Sequence, residues 1–319
     1  MRRIWYMNAD FEMELSGGSA YKRPASFAKI NHRLAAHLLW LAQPGDALLL
    51  DESPEASLES EARGRGVELL MTNQARRLET REFTPWGWTP SVVRLGERLG
   101  ARVNPVPLDV VQRVNSKLWS HNLEQELGVA LSGAALATTF DELQAATARA
   151  CPGAEDKWVI KSAFGFAARE RVLGRGSRIE AAQATWARRR LAQGETLIFQ
   201  PWLQVVREYG IVINIPANGD IEFLGISDLQ TNGAGTGQGY LLGRKIELER
   251  RAELKRMAAI VGVCLRQEGY TGPAGVDALE HTGGLHPLLE VNARYTMGFI
   301  ALAVERALAP GTPVLWSTK

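Results

Sequence analysis

The stretch from Gly275 to Arg294 constrains the fold of this 319-residue chain more than any other. Two strand-like runs, GVDAL (275–279) and LHPLLEVNAR (285–294), flank Gly283-Gly284. A Gly-Gly pair is a strong signal for a two-residue hairpin turn, because both positions accept positive φ. Pairing about that turn sets Asp277 opposite Glu290, each six residues from its glycine. Counted outward, the pair falls at a non-hydrogen-bonded position, where Cβ atoms approach to roughly 4.5–5.5 Å. Two carboxylates that close repel, so the register predicts a cation between them. The side-chain period of two puts Asn292 on the face of Glu290 and turns Leu289 and Val291 toward a core. Three oxygen ligands on one face suit Mg²⁺, a hard cation held by few protein groups plus waters and phosphates. Pro287 lacks the ladder N–H that this register asks of it, so a wider or bulged turn stays open, as does an exposed hairpin with scattered acids.

Composition bounds the rest. With 45% apolar and 23% charged residues the chain is globular and long enough for two or three domains. A net charge of +2 gives no support to a nucleic-acid or membrane role. Cys151 and Cys264 stand far apart without metal-ligand spacing, as reduced intracellular thiols do. Asp10, Glu12 and Glu14 interrupt any signal-peptide core in MRRIWYMNADFEMEL, and no apolar run reaches membrane-spanning length. A soluble, cytoplasmic protein is expected.

The first hundred or so residues alternate strand-like and helix-like patterns: RIWYM (3–7), a helix over 26–42 after Pro24, ALLLD (47–51), a short helix from Pro54, VELLM (67–71), and a helix from Thr89-Pro90 to Gly100. This βαβ rhythm predicts a small parallel sheet with helices on both faces, and the absence of G-x-G-x-x-G argues against a dinucleotide site. Ser16-Gly17-Gly18-Ser19 reads as a flexible connection or a substrate loop. The proline-containing stretch near 104–113 marks a boundary, followed by a helix start at Asn115-Ser116. Helix 117–127, strands 158–161 and 171–175 and helix 179–193 follow. From Thr196 onward strands dominate: LIFQPW, EYGIVINI, IEFLGIS, YLLGRKI and the hairpin, with helices over 250–268 and around 299–308. Three domains are expected, over 1–112, 113–195 and 196–319.

Cations precede the acidic hairpin. Lys161 ends the strand WVIK next to a small-residue turn, a way to hold phosphate oxygens, and Lys117 starts a helix, whose N-terminal amides attract anions. Singly, each lysine is most often a solvated surface charge. In LIFQPWLQVVREYGIVINI (197–215) the linker after the first strand can offer its backbone to an adenine edge, with Phe199, Trp202 and Leu203 as apolar walls. Glu208, at the start of the next strand, can accept from two ribose hydroxyls or simply be an exposed acid.

The order Lys117, Lys161, Gln200-Pro201-Trp202-Leu203, Glu208, Asp277, Glu290-x-Asn292-x-Arg294 resembles the ATP-grasp superfamily of ligases over roughly residues 113–310. The resemblance implies an α/β and α+β architecture: a Rossmann-like pre-ATP-grasp domain followed by two α+β subdomains. It implies that Lys117 and Lys161 contact ATP phosphates, Gln200 to Leu203 hold adenine and Glu208 holds ribose. Asp277, Glu290 and Asn292 would ligate Mg²⁺, or Mn²⁺ in its place, and Arg294 would steady the transferred phosphoryl group. The loop after Lys161, Phe164 to Arg171, departs from a glycine-rich lid with its single glycine, leaving Arg169 or Arg171 to replace backbone donors. A second glycine-rich segment, Thr231 to Gly239, is a flexible hairpin or an element ordered over substrate. The implied activity is an ADP-forming carboxylate-amine ligase with small-molecule carboxylate and amine substrates, compatible with a homodimer. Another ATP-grasp phosphoryl transfer, carboxylation-linked or kinase-like, and a non-catalytic ATP-binding protein are the alternatives. Trp86, Trp88, Arg23 and Arg81 are candidate substrate contacts from the N-terminal domain; none of the five histidines has a spacing that marks a general base.

Overall fold

In the computed structural model, residues 1–75, 77–165 and 170–317 are described. β1 (Arg2–Tyr6) runs through the middle of the first sheet, and Ile4, Trp5 and Tyr6 are buried, as in a strand covered on both faces. α1 (Phe11–Gly17), α2 (Ala25–Ala35), β2 (Ala47–Leu50), α3 (Ala56–Gly64), β3 (Glu68–Met71), β4 (Arg81–Pro85) and α4 (Pro90–Arg98) follow. The strands are parallel in the order β3-β2-β1-β4, the small parallel sheet expected. β4 escaped the sequence reading because only Phe83 and Pro85 of its five residues are buried. The helix expected over 26–42 is α-helical only to Ala35 and tightens to a 3₁₀ helix through Trp40. Ser16 and Gly17 close α1, so the Ser16–Ser19 stretch is a helix end and a 3₁₀ turn.

α5 (Leu108–Val114) and α6 (Lys117–Glu126) link this sheet to the rest. Ser116 caps α6, its Oγ accepting from the Leu118 N–H at 3.2 Å. β5 (Ala135–Ala137), α7 (Phe140–Ala150), β6 (Lys157–Lys161), β7 (Arg171–Arg175), α8 (Ala181–Leu191) and β8 (Leu197–Pro201) build an antiparallel sheet of order β5-β8-β6-β7. Leu143, Ala187, Trp158, Ile160 and Phe199 form its core with α7 and α8. The expected division at 195/196 would cut β8 from the sheet to which it belongs. α5 and α6 likewise pack elsewhere, since Val110, Val111 and Val114 of α5 and Leu123 of α6 share a core with Ile211 and Val276 of the third sheet.

That sheet is formed by β9 (Val205–Ile215), β10 (Glu222–Thr231), β11 (Gly237–Leu242), β12 (Gly272–His281), β13 (Gly284–Asn292) and β14 (Val314–Ser317), with α9 (Leu248–Gln267) and α10 (Met297–Leu308) between strands. Its order is β13-β12-β9-β10-β11-β14, antiparallel throughout. Tyr240, Leu242, Ile300 and Val304 bury against Trp5, Leu38 and Leu48, so the first and third sheets are joined by one apolar core. No helix among the described residues is long and apolar enough to cross a membrane.

Candidate active site

The β12–β13 ladder pairs Gly275 with Asn292, Val276 with Val291 and Asp277 with Glu290. Nearer the turn it resumes at Leu279 with His286 and closes at His281 with Gly284, so the turn lies at Thr282-Gly283, one residue earlier than expected. Between these stretches β13 spends more residues than β12, a bulge that contains Pro287, which has no N–H to give a ladder. The earlier turn and the bulge offset each other, leaving Asp277 opposite Glu290 as the sequence implied. The bulge also breaks the alternation: Leu288 fills the core, while Leu289, expected to point inward, lines the open side beside Glu290.

Around that pair the charges are coupled. Lys117 donates to Glu290 Oε1, Asn292 Nδ2 donates to Asp277 Oδ2 at 3.0 Å, and Lys161 donates to Gln200 Oε1 at 2.7 Å. Burial raises the Asp277 carboxyl to about 7, and neighbouring Glu290 adds to that shift against the opposing pull of Arg294. Burial also works on Glu290, yet Lys117 and Lys161 together hold its carboxyl below the usual range. Lys161 is lowered to about 8, by burial first, with Lys117 and Arg171 adding and Glu290 and Glu124 opposing. Asp277 is therefore a buried carboxyl without a full countercharge. Among the described residues no third carboxylate, histidine or cysteine joins Asp277 and Glu290 in a metal-holding group. The remaining protein oxygen is the Asn292 amide, and two carboxylates plus an amide fit Mg²⁺ completed by waters and phosphate oxygens.

Arg294 is fixed from a direction the sequence did not suggest. Its guanidinium donates to the Glu12 carboxylate of α1, through Nε at 2.7 Å and also through Nη2, to Tyr295 O at 2.9 Å and to Asn292 Oδ1 at 3.0 Å. Glu12 is 282 residues away and lies in the predicted N-terminal domain, so no local pattern pointed to it.

These groups open onto a cavity of about 680 Å³. Lys117, Lys161, Gln200, Pro201, Trp202, Leu203, Glu208, Asp277, Glu290, Asn292 and Arg294 all line it. Arg169 lies outside the described residues. Among the lining residues, Trp202 N–H is taken by Lys157 O at 2.8 Å. Phe199, expected as a wall, faces the second core instead. Glu208 Oε1 accepts from Thr231 Oγ1 at 2.5 Å, and burial raises its carboxyl. Arg171 stacks over the Trp202 ring at 5.6 Å and donates to Ala234 O, so it is committed beside Trp202. The glycine-rich segment is thus part of the wall: Thr231, Gly235, Thr236, Gly237 and Gly239 line the cavity.

Of the expected N-terminal contacts only Trp86 reaches the cavity. Trp88 packs against two cores, Arg23 is held by Asp10 and Tyr6, and Arg81 pairs with Glu68. Met7, Ala9, Ile30, Arg33 and Leu34 stand there instead. The helical spacing of 30, 33 and 34 was visible, but nothing local says what that face meets. Among the described residues no histidine lines the cavity; His286 is buried 3.6 Å from Glu124.

No family model matches the chain. The [butirosin acyl-carrier protein]–L-glutamate ligase of Niallia circulans is 21% identical over 319 residues, spanning 92% of this chain and 72% of that protein. The biotin carboxylase domain of the Hydrogenobacter thermophilus 2-oxoglutarate carboxylase, solved with MgADP, ADP and bicarbonate, superposes with a TM-score of 0.57 at 14% identity, over 89% of this chain and 68% of that one. D-alanyl-alanine synthetase A of Vibrio cholerae gives a TM-score of 0.55 at 12% identity, over 83% of this chain and 93% of that one. The chain therefore has the fold of these enzymes, the ATP-grasp fold that the resemblance over residues 113–310 implied.

Proposed function

We propose that the protein is an ATP-dependent ligase joining a carboxylate to an amine, with release of ADP and phosphate. The observation that carries this reading is the convergence of Asp277, Glu290, Asn292, Arg294, Lys117 and Lys161 on one cavity that Trp202 and Glu208 also line. The named relatives, a glutamate ligase and a dipeptide synthetase among them, support the same class.

Carboxylates acylate amines poorly at neutral pH and need a better leaving group. A carboxylate oxygen attacks the γ-phosphorus of ATP, the bond to the β,γ-bridging oxygen breaks, and ADP leaves with the electron pair. The amine nitrogen then attacks the acyl phosphate, the C–N bond forms, inorganic phosphate departs with the C–O electrons, and the nitrogen loses a proton. Such transfers need alignment and charge neutralisation more than covalent help. Lys117 and Lys161 hold phosphate oxygens, and Arg294, clamped by Glu12, faces the acyl phosphate. Trp202 and Leu203 wall the adenine, and Glu208 takes the ribose hydroxyls. Asp277, Glu290 and Asn292 would hold Mg²⁺, which when bound neutralises phosphate charge.

The test is incubation of the purified chain with MgATP and pools of amino acids, dipeptides and simple carboxylates. Substrate-dependent ADP and phosphate together with a new amide are expected. ADP formation that depends on bicarbonate alone would reassign the chemistry to carboxylation, and ATP binding without turnover on any acceptor would leave a nucleotide-binding protein.

A further inference from the structure

Among the described residues five basic side chains line the cavity, and four are engaged. Lys117 is paired with Glu290 and Arg294 with Glu12, while Lys161 donates to Gln200 and Arg171 to Ala234 O. The fifth, Arg33, is exposed and has no hydrogen-bond or ion-pair partner among the described residues. It sits on α2 one turn from Ile30 and beside Leu34, three residues of one helical face that all line the cavity. The surroundings of that face are apolar: Met7 at the end of β1, Trp86 after β4 and Met297 at the start of α10. The acids on the cavity wall are Glu170, Glu208, Asp277 and Glu290, and none belongs to the N-terminal region.

Resting on the ligase reading, we infer that this α2 face recognises the amine substrate, an α-amino acid with an apolar side chain, and that Arg33 holds its carboxylate. The carboxylate that is activated must lie with the γ-phosphate among Lys117, Arg294 and the metal-binding acids, where its charge is already met. An unpaired cation on a wall with no phosphate or metal ligand therefore reads a second anionic group, one the reaction does not consume. An arginine suits it, because a guanidinium grips a carboxylate in a bidentate fork. Ile30, Leu34, Met7 and Trp86 supply the surface against which an apolar side chain leaves water. With no acid on this wall, nothing holds the amine as an ammonium, and attack requires the uncharged nitrogen.

Calorimetric titration in the presence of MgADP tests this with L-leucine, L-methionine and L-phenylalanine and with their carboxamides, which keep the side chain and lose the charge. The free acids are expected to bind the wild-type chain at least about tenfold more tightly than the amides, and Arg33→Gln to erase that difference. Arg33→Glu should abolish binding of the acids while both variants titrate MgADP as the wild type does. Equal binding of acids and amides, wild-type-like binding of the acids to Arg33→Gln, or no binding of any free acid would overturn the assignment. ADP release with the amino acid and the carboxylate pool together, measured separately, addresses the ligase reading: binding that depends on Arg33 with no turnover on any carboxylate would sink that reading and leave the α2 site in place.

Discussion

The two ends of the cavity are held by different physics. At the acidic end, Asp277, Glu290, Lys117, Lys161 and Arg294 come from α6, β6, β12, β13 and the segment just after β13, and each charge shifts its neighbours. At the opposite end Trp202, Leu203, Gly235 and the Thr231–Glu208 bond rely on shape, stacking and one buried acid. In a poorly solvated cluster, removing one charge resets the protonation of the rest. At the other end a substitution of an uncharged residue changes contact area and little else, while Glu208 and Arg171 stay coupled to Asp277, Lys161 and Glu290. Substitutions at the acidic end should therefore act on turnover and its pH dependence, and those at the other end on nucleotide affinity.

Asp277→Ala offers the strongest way to break this comparison. Turnover should fall by about a hundredfold or more, measured as ADP release at saturating MgATP, because a ligand to the charge-neutralising ion is gone. Folding should survive, since the removed group is a buried carboxyl lacking a full countercharge. The stability profile of the ligand-free chain carries the same information. The Asp277 carboxyl rises from 3.8 to about 7 and that of Glu124 from 4.5 to about 8, both mainly through burial. Between the ordinary and raised values the folded chain keeps protons that the unfolded chain has released. The contribution of these two groups to stability therefore falls as pH rises through this window, and the fall is complete near pH 8, opposed between about 4 and 6.5 by His286, whose imidazole is lowered by burial to about 4. Asp277→Asn should remove the part of the decline that ends near 7 and leave the part due to Glu124. A melting-temperature profile for Asp277→Asn that matches the wild type across pH 4 to 7 would show that Asp277 is not the strained charge.

Lys161 gives the next largest effect. With its ammonium lowered to about 8, kcat/KM for ATP should fall above that pH as the free enzyme loses a phosphate-binding charge. Lys161→Arg should carry the fall to higher pH, since a guanidinium stays protonated. A wild-type profile flat well beyond pH 8 would contradict the assigned environment. Glu12→Gln should then lower kcat by about tenfold with the KM for ATP unchanged, as expected of a group that orients Arg294 and does not itself touch nucleotide.

What could be read in the sequence divides along the same line. The acidic end was visible because its ligands sit on one hairpin: a period of two and a turn signal place Asp277, Glu290 and Asn292 without knowledge of the fold. Even there the turn lay one residue early, and the bulge at Pro287 hid the displacement. Lys117 and Lys161 were found through helix-start and strand-end patterns, which are local too. Glu12 was not, because its pairing with Arg294 joins segments 282 residues apart. The α2 face was equally silent, since amphipathic spacing announces a buried stripe and not what buries it. β4, β5, α7 and β14 went unread for a plainer reason. β4 has only two buried residues, β14 is largely exposed and β5 has three residues, while the Thr139-x-x-Glu142 capping box of α7 was present and passed over.

The smallest expected effect lies in the glycine-rich segment. The turn there is self-contained: Asn232 Oδ1 accepts from the N–H groups of Ala234 and Thr236 at 3.0 Å each, and Asn232 O accepts from Gly235 N–H at 2.7 Å. Gly235 has φ of +69°, and a Cβ placed on it would stand 3.1 Å from the Trp202 ring and 3.5 Å from the Arg171 guanidinium. Gly235→Ala should therefore strain the turn by about 1 kcal/mol and push the tip away from Trp202. If the segment closes over the nucleotide, KM for ATP rises about fivefold with kcat nearly unchanged, because the acidic end is untouched. Gly233→Ala, at a position with open space around it and no left-handed φ, serves as the control and should behave as wild type. Were the two substitutions to have the same effect on KM, the segment would be a wall that ATP does not sense, and the neutral end would reduce to Trp202, Leu203 and Glu208.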